Sequence, residues 1–350
     1  MERLGRINLL VGTNNCGKTS VLEAIHILFD RGSPMALWGS LSRRGETRDD
    51  LQDDREVDVA HLFHGHELRA GVDFAIRGES PEGTVQLEAK LSERDPSEPP
   101  LRRRRAAHRL TEDDDDSLFL SSLTLSLAWS RKHTAPKKVL IPITRNGGFS
   151  LDYIDPPRVR SDAPRAEIIT TEGLLRERVV SMLEDVVLNP EEETVLAALR
   201  TIEPGIERIV PIGTAPRRYL RSTRGGVAVK LAGQRVPIGS LGDGIWRILG
   251  ISLALVEARG GLLLIDEIDT GLHYTVLEKM WHLVHETARR LDVQVFATTH
   301  SRDCLESLAA IAGADGDGVT IQRIERNRRL TVSIPGTEIL EVANRGIEVR

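Results

Sequence analysis

The sequence predicts an α/β fold built on a mixed, largely parallel core sheet, and three observations predict it. Residues 7–11 (INLLV), 261–265 (GLLLI) and 293–298 (VQVFAT) are short apolar runs, typical of strands buried on both faces of a sheet. Helical patterns over residues 18–29 and 274–290 follow the first two runs. Because strand–helix alternation favours crossover connections, we expect the three strands to lie parallel in one sheet.

Composition bounds the class of protein. The chain has 350 residues, 40% of them hydrophobic, which is enough for a large core in about two lobes. A net charge of -5 gives no global basic excess that would indicate nucleic acid, although a local basic stripe remains compatible with it. Two cysteines, Cys16 and Cys304, provide no disulfide framework, and no apolar run is long enough to span a membrane. We therefore predict a cytoplasmic protein without a membrane partner.

The middle of the chain differs in pattern from both ends. Residues 31–60 are polar and predict a mobile loop, with a short helix near residues 57–63. Residues 68–92 alternate in polarity around Ser80-Pro81-Glu82-Gly83 and predict a β-hairpin. Residues 93–117 contain prolines, a run of arginines and a run of aspartates, and such blocks are usually solvated or disordered.

Further strands are predicted on both sides of a helical region. Residues 166–202 carry helical periodicity that is broken at Asn189-Pro190. The remaining predicted strands cover residues 118–130, 138–153, 206–212 and 226–236. Four segments result: an N-terminal lobe over 1–95 with the hairpin, a β subdomain over 96–165 with a charged, partly disordered insertion, a helical subdomain over 166–205, and a second lobe over 206–350.

A phosphate-binding motif lies between the first strand and the first helix. Gly12-Thr13-Asn14-Asn15-Cys16-Gly17-Lys18-Thr19 fits G-x-x-x-x-G-K-[ST] in the strand–helix context that the motif requires. Its backbone N–H groups and the helix N-terminus favour anions, and Lys18 supplies a charge to the β- and γ-phosphates. We predict ATP as the ligand. The predicted contacts are Gly12, Asn14, Asn15, Cys16, Gly17, Lys18, Thr19 and Ser20.

Two adjacent carboxylates end the second apolar strand. Asp266 and Glu267 follow Leu262-Leu263-Leu264-Ile265, at the edge where α/β sheets bind ligands. Thr19 and Asp266 are the predicted Mg²⁺ ligands, directly or through water. Glu267 is the predicted base that orients and deprotonates the attacking water. His300, directly after the third strand, is the second predicted catalytic residue, because a neutral imidazole there can donate to the γ-phosphate.

Two further turns are candidates for nucleotide contact. Ser240-Leu241-Gly242-Asp243-Gly244 precedes an apolar helix, and small residues at a helix start form an anion site. A plain cap on a core helix is the alternative interpretation. Asp269-Thr270-Gly271-Leu272-His273 forms a compact turn that could extend across a dimer interface. Ser240, Gly242, Gly244 and Asp269 are the predicted contacts from these turns.

The ordered set of the P-loop, SLGDG, LLLIDE, DTGLH and TTHS motifs resembles ABC-type P-loop ATPases of the RecF/SMC/OLD group. Within that group it is most similar to the compact ATPases related to OLD (overcoming lysogenisation defect) proteins, which often carry a GDG helix start and an IDE-(x)-(x)-GLH run. The resemblance implies a homodimer that encloses two ATP molecules. The SLGDG turn of one subunit would close over the γ-phosphate held by the other, with Asp269 near the same junction.

The resemblance implies an ATPase in OLD-like defence against phage or other foreign DNA. OLD proteins carry a TOPRIM nuclease after the ATPase, and the residues beyond His300 show no such pattern, so we expect a separate effector, a nuclease above all. The alternative is a RecF-like DNA repair or recombination factor, and DNA is an open partner. A transporter subunit lacks support because LSGGQ is missing, and a small-molecule kinase would not need Asp266, Glu267 and His300 together.

Two features of the family pattern stay unassigned. Relatives usually carry an extra strand pair before the P-loop strand. The residues that contact adenine are therefore unassigned, and whether the N-terminus is truncated stays an open question. Gln52 is a candidate for the glutamine-loop residue on spacing alone.

Overall fold

The computed structural model describes residues 1–46, 56–80, 83–94, 120–132, 134–150, 165–212, 226–315, 318–326, 328 and 330–344. The chain divides into two compact units. Unit 1 comprises Met1–Leu22 and Ala163–Arg350, and unit 2 comprises Glu23–Asp162. Each unit has its own hydrophobic core.

Unit 1 is organised around a mixed sheet that is mostly parallel. Among the described residues its strands are β1 (Ile7–Val11), β8 (Ala166–Ile169), β12 (Leu262–Ile265), β13 (Gln294–Thr298), β14 (Val319–Arg323) and β15 (Val332–Pro335). Their order is β15-β14-β1-β13-β12-β8, and only the β14–β15 pair among them is antiparallel. The predicted fold class is therefore confirmed.

The central strands of this sheet are buried on both faces. Every residue of β1 and β12 is buried, as continuous apolar runs require. Ile7 of β1 pairs with Val295 on one side and Val319 on the other. Since β1, β12 and β13 are parallel, the segments that follow them emerge at one edge of the sheet, and these segments carry the predicted site residues.

Helices and a smaller sheet complete unit 1. The small sheet is antiparallel, in the order β11 (Gln234–Pro237), β10 (Val227–Leu231), β9 (Ile206–Pro211). The described α-helices that lie entirely within this unit are α3 (Arg176–Val186), α4 (Glu192–Arg200), α5 (Asp243–Glu257), α6 (Tyr274–Leu291), α7 (Arg302–Asp315) and α8 (Gly336–Asn344). Helix α5 is buried continuously from Ile245 to Leu255, so it forms part of the core.

Unit 2 contains an antiparallel sheet in the order β3 (Asp73–Ser80), β4 (Gly83–Glu93), β5 (Leu120–Arg131), β6 (Lys137–Thr144). Two short strands, β2 (Glu56–Asp58) and β7 (Gly148–Ser150), pair with each other. Its helix α2 spans Pro34–Arg43, and α1 (Lys18–Phe29) contains the boundary between the units. The predicted hairpin thus shares a sheet with strands from the predicted 96–165 segment.

Two predictions about secondary structure are wrong. The predicted loop over residues 31–60 contains α2, where Pro34 occupies the first turn and Leu37 and Leu41 bury one face. The predicted helical region over 166–202 begins with strand β8 and becomes helical only at Arg176. Parallel pairing of β8 with β12 makes this segment a strand, and four residues are too few to display a period.

Several predictions lie outside the described residues. These include most of the charged 93–117 block, the end of the predicted 138–153 strand, and Gln52. Among the helices that the structure does describe, none combines the length and apolar character that crossing a membrane requires.

Candidate functional site

The turn after β1 depends on glycine for space. A Cβ atom on Gly12 would lie 2.4 Å from the carbonyl oxygen of Ile324 and 2.8 Å from Cys16 Sγ, so a side chain there would displace backbone. Asn15 and Gly17 both have positive φ, which keeps the turn tight before α1 begins. Thr13, Asn14 and Asn15 are exposed on the outside of this turn, as are Thr19 and Ser20 at the helix start.

Lys18 is folded against the inside of the same turn. Its side chain is buried, and Nζ donates to the carbonyl oxygens of Gly12 at 2.9 Å and Thr13 at 3.0 Å. Nζ also lies 3.8 Å from Cys16 Sγ. The turn therefore concentrates an ammonium charge at a helix N-terminus, which is an arrangement suited to phosphate.

Three oxygen-bearing side chains meet where α1, β12 and β13 converge. Thr19 Oγ1 donates to Asp266, with distances of 3.3 Å to Oδ1 and 3.1 Å to Oδ2. Thr298 Oγ1 donates to Asp266 Oδ1 at 2.6 Å from the end of the neighbouring strand. A hydroxyl and one carboxylate suit Mg²⁺, which usually retains waters and substrate phosphate oxygens as its other ligands. The donor set of Thr19 and Asp266 therefore fits the predicted cation.

Glu267 occupies an unusual backbone conformation. Its φ is +46°, in the left-handed region that residues other than glycine rarely adopt. Its N–H donates to Thr298 Oγ1 at 2.8 Å, and its Oε2 accepts from Thr270 Oγ1 at 3.0 Å. Its carbonyl accepts from the Thr270 N–H at 3.0 Å. Local strain of this kind persists only where surrounding contacts over-determine the geometry.

The Thr298 hydroxyl connects both carboxylate residues, and no motif in the sequence predicted this role. It is fully buried, it accepts from the N–H of Glu267, and it donates to Asp266. The available signal was its place at the end of a buried strand next to His300.

The Thr298→Val variant is expected to lower the free energy of unfolding by about 1 to 3 kcal/mol, because the part-buried N–H of Glu267 loses its acceptor. Urea denaturation measures the change. Thr298→Ser keeps the hydroxyl and is the matched control, with a small effect expected. A valine variant as stable as the wild type would contradict the bridging role.

Arg247 is a second site residue that no motif in the sequence predicted. It lies on α5, is buried, and donates from Nη1 to the carbonyl of Thr170 at 2.7 Å. Its Nη2 donates to the carbonyls of Asp266 at 2.9 Å and Glu267 at 2.8 Å. Burial lowers the pKa of the guanidinium to about 10, against the opposing effect of nearby carboxylates, and it stays charged at neutral pH. The available signal was a single arginine within an apolar helix.

Asp269 and His300 have different surroundings. Thr299 Oγ1 donates to Asp269 Oδ1 at 2.5 Å, and the N–H of Ser301 donates to Thr299 Oγ1 at 2.9 Å, which fixes the DTGLH turn to the end of β13. His300 is exposed and makes no hydrogen bond with any residue that the structure describes. The imidazole therefore remains available to a ligand at the sheet edge.

The SLGDG turn lies against the DTGLH turn. Ser240 is exposed and donates from Oγ to the carbonyl of Pro237 at 2.7 Å. Gly242 has a φ of +93° and precedes α5, and nothing lies within 4 Å of the place where its Cβ would be. A Cβ on Gly244 would lie 3.3 Å from the carbonyl of Gly271. The two turns form one surface, while the Ser240 hydroxyl makes no hydrogen bond with the P-loop.

A strand–P-loop–helix unit, an aspartate facing the P-loop threonine, and a mixed, largely parallel sheet define a P-loop NTPase. The chain belongs to the family described as "AAA domain, putative AbiEii toxin, Type IV TA system", whose model matches residues 7–303. A search of curated proteins found no match.

Solved structures of SMC heads are similar in fold. One is an Smc head bound to the C-winged helix domain of ScpA, at 12% identity and TM-score 0.43, covering 96% of this chain and 92% of that one. Another is the SMC head domain from Thermotoga maritima, at 12% identity and TM-score 0.38, covering 94% of this chain and 90% of that one. A third is an Smc head with an extended coiled coil bound to the C-terminal domain of ScpA derived from Pyrococcus furiosus. It has 11% identity and a TM-score of 0.40, and the match covers 97% of this chain and 93% of that one. Likenesses at these TM-scores carry no argument about activity.

Proposed function

We propose that the chain binds ATP with Mg²⁺ and hydrolyses it at the edge of the unit 1 sheet. The observation that carries this proposal is the contact between Thr19 Oγ1 and Asp266 Oδ2 at 3.1 Å, because it joins the P-loop to the carboxylate strand. An aspartate that only ended a strand would have no reason to face the P-loop threonine. Glu267 comes next along the chain, one residue beyond the proposed metal ligand.

Each residue has a distinct role in this mechanism. Lys18 and the N–H groups of the turn bind the β- and γ-phosphates. Thr19 and Asp266 hold Mg²⁺, which neutralises phosphate charge when bound. Glu267 orients the attacking water and accepts its proton, and His300 donates to the γ-phosphate. Thr298 positions Asp266 and Glu267 together, since its hydroxyl contacts both residues.

The proposal includes a homodimer with two ATP molecules between its subunits. Support comes from the surface made by the SLGDG and DTGLH turns in unit 1, where Ser240 and Gly242 are exposed and Gly244 and Asp269 are partly exposed. The open space at Gly242 leaves room for an oxygen of a γ-phosphate presented by a second subunit. Closing would then depend on how much better ATP binds the closed form than the open one.

ATP state would regulate a separate effector, a nuclease above all, in OLD-like defence. The ordered motifs support this part of the proposal. The family description, which names a toxin of a toxin–antitoxin system, supports a second candidate in which ATP state controls a growth-inhibiting activity. The two differ in cells: defence requires phage challenge before growth changes, whereas a toxin slows growth without phage, and Lys18→Ala should abolish either effect.

Light scattering with and without ATP and Mg²⁺ tests the dimer in the Glu267→Gln background. We expect ATP to double the mass, and Ser240→Glu to prevent doubling by placing a carboxylate against phosphate. Ser80→Glu is the matched control, because Ser80 is also exposed and also donates to a carbonyl three residues away. A monomer at saturating ATP, or equal effects of both substitutions, would refute the ATP-enclosing dimer.

A further inference from the structure

The buried guanidinium of Arg247 donates hydrogen bonds to backbone carbonyl oxygens rather than to a carboxylate. Among the described residues its hydrogen-bond acceptors are three carbonyl oxygens, those of Thr170, Asp266 and Glu267. Its Nε is buried and has no hydrogen-bond partner in the part of the chain that the structure describes. A buried guanidinium with one unsatisfied N–H is a costly way to fill a core position, since a well-packed apolar side chain is often at least as stabilising. The position therefore requires an explanation other than packing.

The three carbonyl acceptors of Arg247 lie close together, in the segments that follow two neighbouring strands. Two of the three belong to Asp266 and Glu267, and the third, Thr170, directly follows the neighbouring strand β8. Among the described residues, the carbonyl of Glu267 accepts otherwise from the N–H of Thr270. Without Arg247, the left-handed backbone of Glu267 would lose the donor that ties it to a helix.

Helix α5 is the other end of this connection. Arg247 lies in the second turn of α5, and the helix begins at Asp243 directly after Gly242. A buried, continuously packed helix moves as a rigid element. A displacement of the exposed SLGDG turn would therefore reach the carbonyl of Glu267 through the Arg247 side chain.

We propose that Arg247 is a positioning residue that fixes the carboxylate of Glu267 for attack on ATP and couples it to the SLGDG turn on α5. The proposal rests on the proposed ATPase function of Glu267. It predicts a selective effect, because Arg247 contacts the carboxylate turn and no residue of the P-loop. Small displacements of a catalytic group reduce turnover strongly, while nucleotide affinity depends on Lys18 and the turn around it.

Arg247→Met and Arg247→Lys separate positioning from folding. For Arg247→Met we expect kcat to fall about 100-fold and the Kd for ATP to stay within about threefold of wild type. Arg247→Lys retains the charge but cannot match the planar fork, so an intermediate kcat is expected. Arg290→Met is the matched control: Arg290 is also a helical arginine, pairs with Glu191 and Thr194, and should leave kcat unchanged.

A double-mutant cycle with Glu267→Gln decides whether Arg247 acts through Glu267. If it does, Arg247→Met causes little further loss once the carboxylate is gone. Two outcomes would overturn the proposal. One is a kcat in the double variant that falls by the product of the two single-variant losses. The other is a Kd for ATP in Arg247→Met that rises in parallel with the fall in kcat. Full turnover in Glu267→Gln alone would instead refute the part of the proposed function that assigns the base to Glu267.

Amide hydrogen exchange gives a readout that needs no nucleotide. The N–H groups of Glu267, Ile268 and Thr270 are hydrogen-bonded in this turn. Faster exchange over residues 266–272 is expected in both Arg247 variants, with β1 unchanged. Exchange that stays at the wild-type rate in the turn, or that rises equally throughout unit 1, would contradict the local hold that the proposal requires.

Discussion

Lys18→Ala is expected to weaken ATP binding roughly 30- to 150-fold, which corresponds to a loss of about 2 to 3 kcal/mol for removal of a charged hydrogen-bond donor. The structure gives the reason. The ammonium group is held inside the turn by the carbonyls of Gly12 and Thr13, so we expect it to lie beside the phosphates of a nucleotide that binds there. Little further side-chain ordering is then needed on binding, and most of the electrostatic attraction contributes to affinity.

Titration calorimetry with ATP and Mg²⁺ measures this effect. Lys279→Ala is the control, because Lys279 is exposed on α6 and its Nζ donates to the carbonyl of Thr201, away from the P-loop. The thermal midpoints of both variants show whether either substitution disturbs the fold. A Kd for Lys18→Ala equal to that of wild type would remove the basis of the P-loop assignment.

Glu267→Gln is expected to bind ATP with near wild-type affinity while turnover falls about 100- to 10,000-fold, the range associated with loss of a general base. Glutamine keeps the size of the side chain and can still accept a hydrogen bond from Thr270, but it cannot take a proton from water. The substitution should therefore separate binding from chemistry, and the variant should accumulate in the ATP-bound form.

Steady-state phosphate release and calorimetric Kd values together test this separation. Glu278→Gln on α6 is the control for a neutralised exposed carboxylate. If Glu267→Gln lost affinity and turnover in equal measure, its role would lie in binding. If it turned over ATP like the wild type, another group would have to serve as the base.

Secondary structure followed from sequence where the pattern was long or strictly apolar. Helix α1 has the predicted bounds, and the three apolar runs are strands of one sheet. Helix α2 was missed because its amphipathic face is short and lies within polar sequence. Strand β8 was missed because pairing with β12, and not its own composition, makes it a strand. In both segments tertiary contacts outweighed local propensity.

The candidate site divides in the same way. Lys18, Thr19, Asp266 and Glu267 were predicted because motifs give their spacing, and the structure places Thr19 against Asp266; their roles stay predictions. Thr298 and Arg247 could not be found by spacing, since each matters only through a partner far along the chain. A threonine at a strand end and an arginine in an apolar helix are common features, so neither indicates a role by itself. The hydrogen-bond acceptors of both residues are identified only when the folded arrangement of the strands is known.

The order of strands in the unit 1 sheet has a consequence for how the protein is made. Of the described strands β1 is translated first, yet both of its neighbours, β13 and β14, are translated after most of the others. Its backbone N–H and C=O groups therefore stay unpaired until β13 and β14 have been translated. In unit 2, by contrast, the described strands pair with one another within one continuous segment. Non-local pairing of this kind slows folding and leaves an apolar edge open to other chains. We expect yield in a cell to depend on chaperones that shield Ile7–Val11 until Val319–Arg323 has been made.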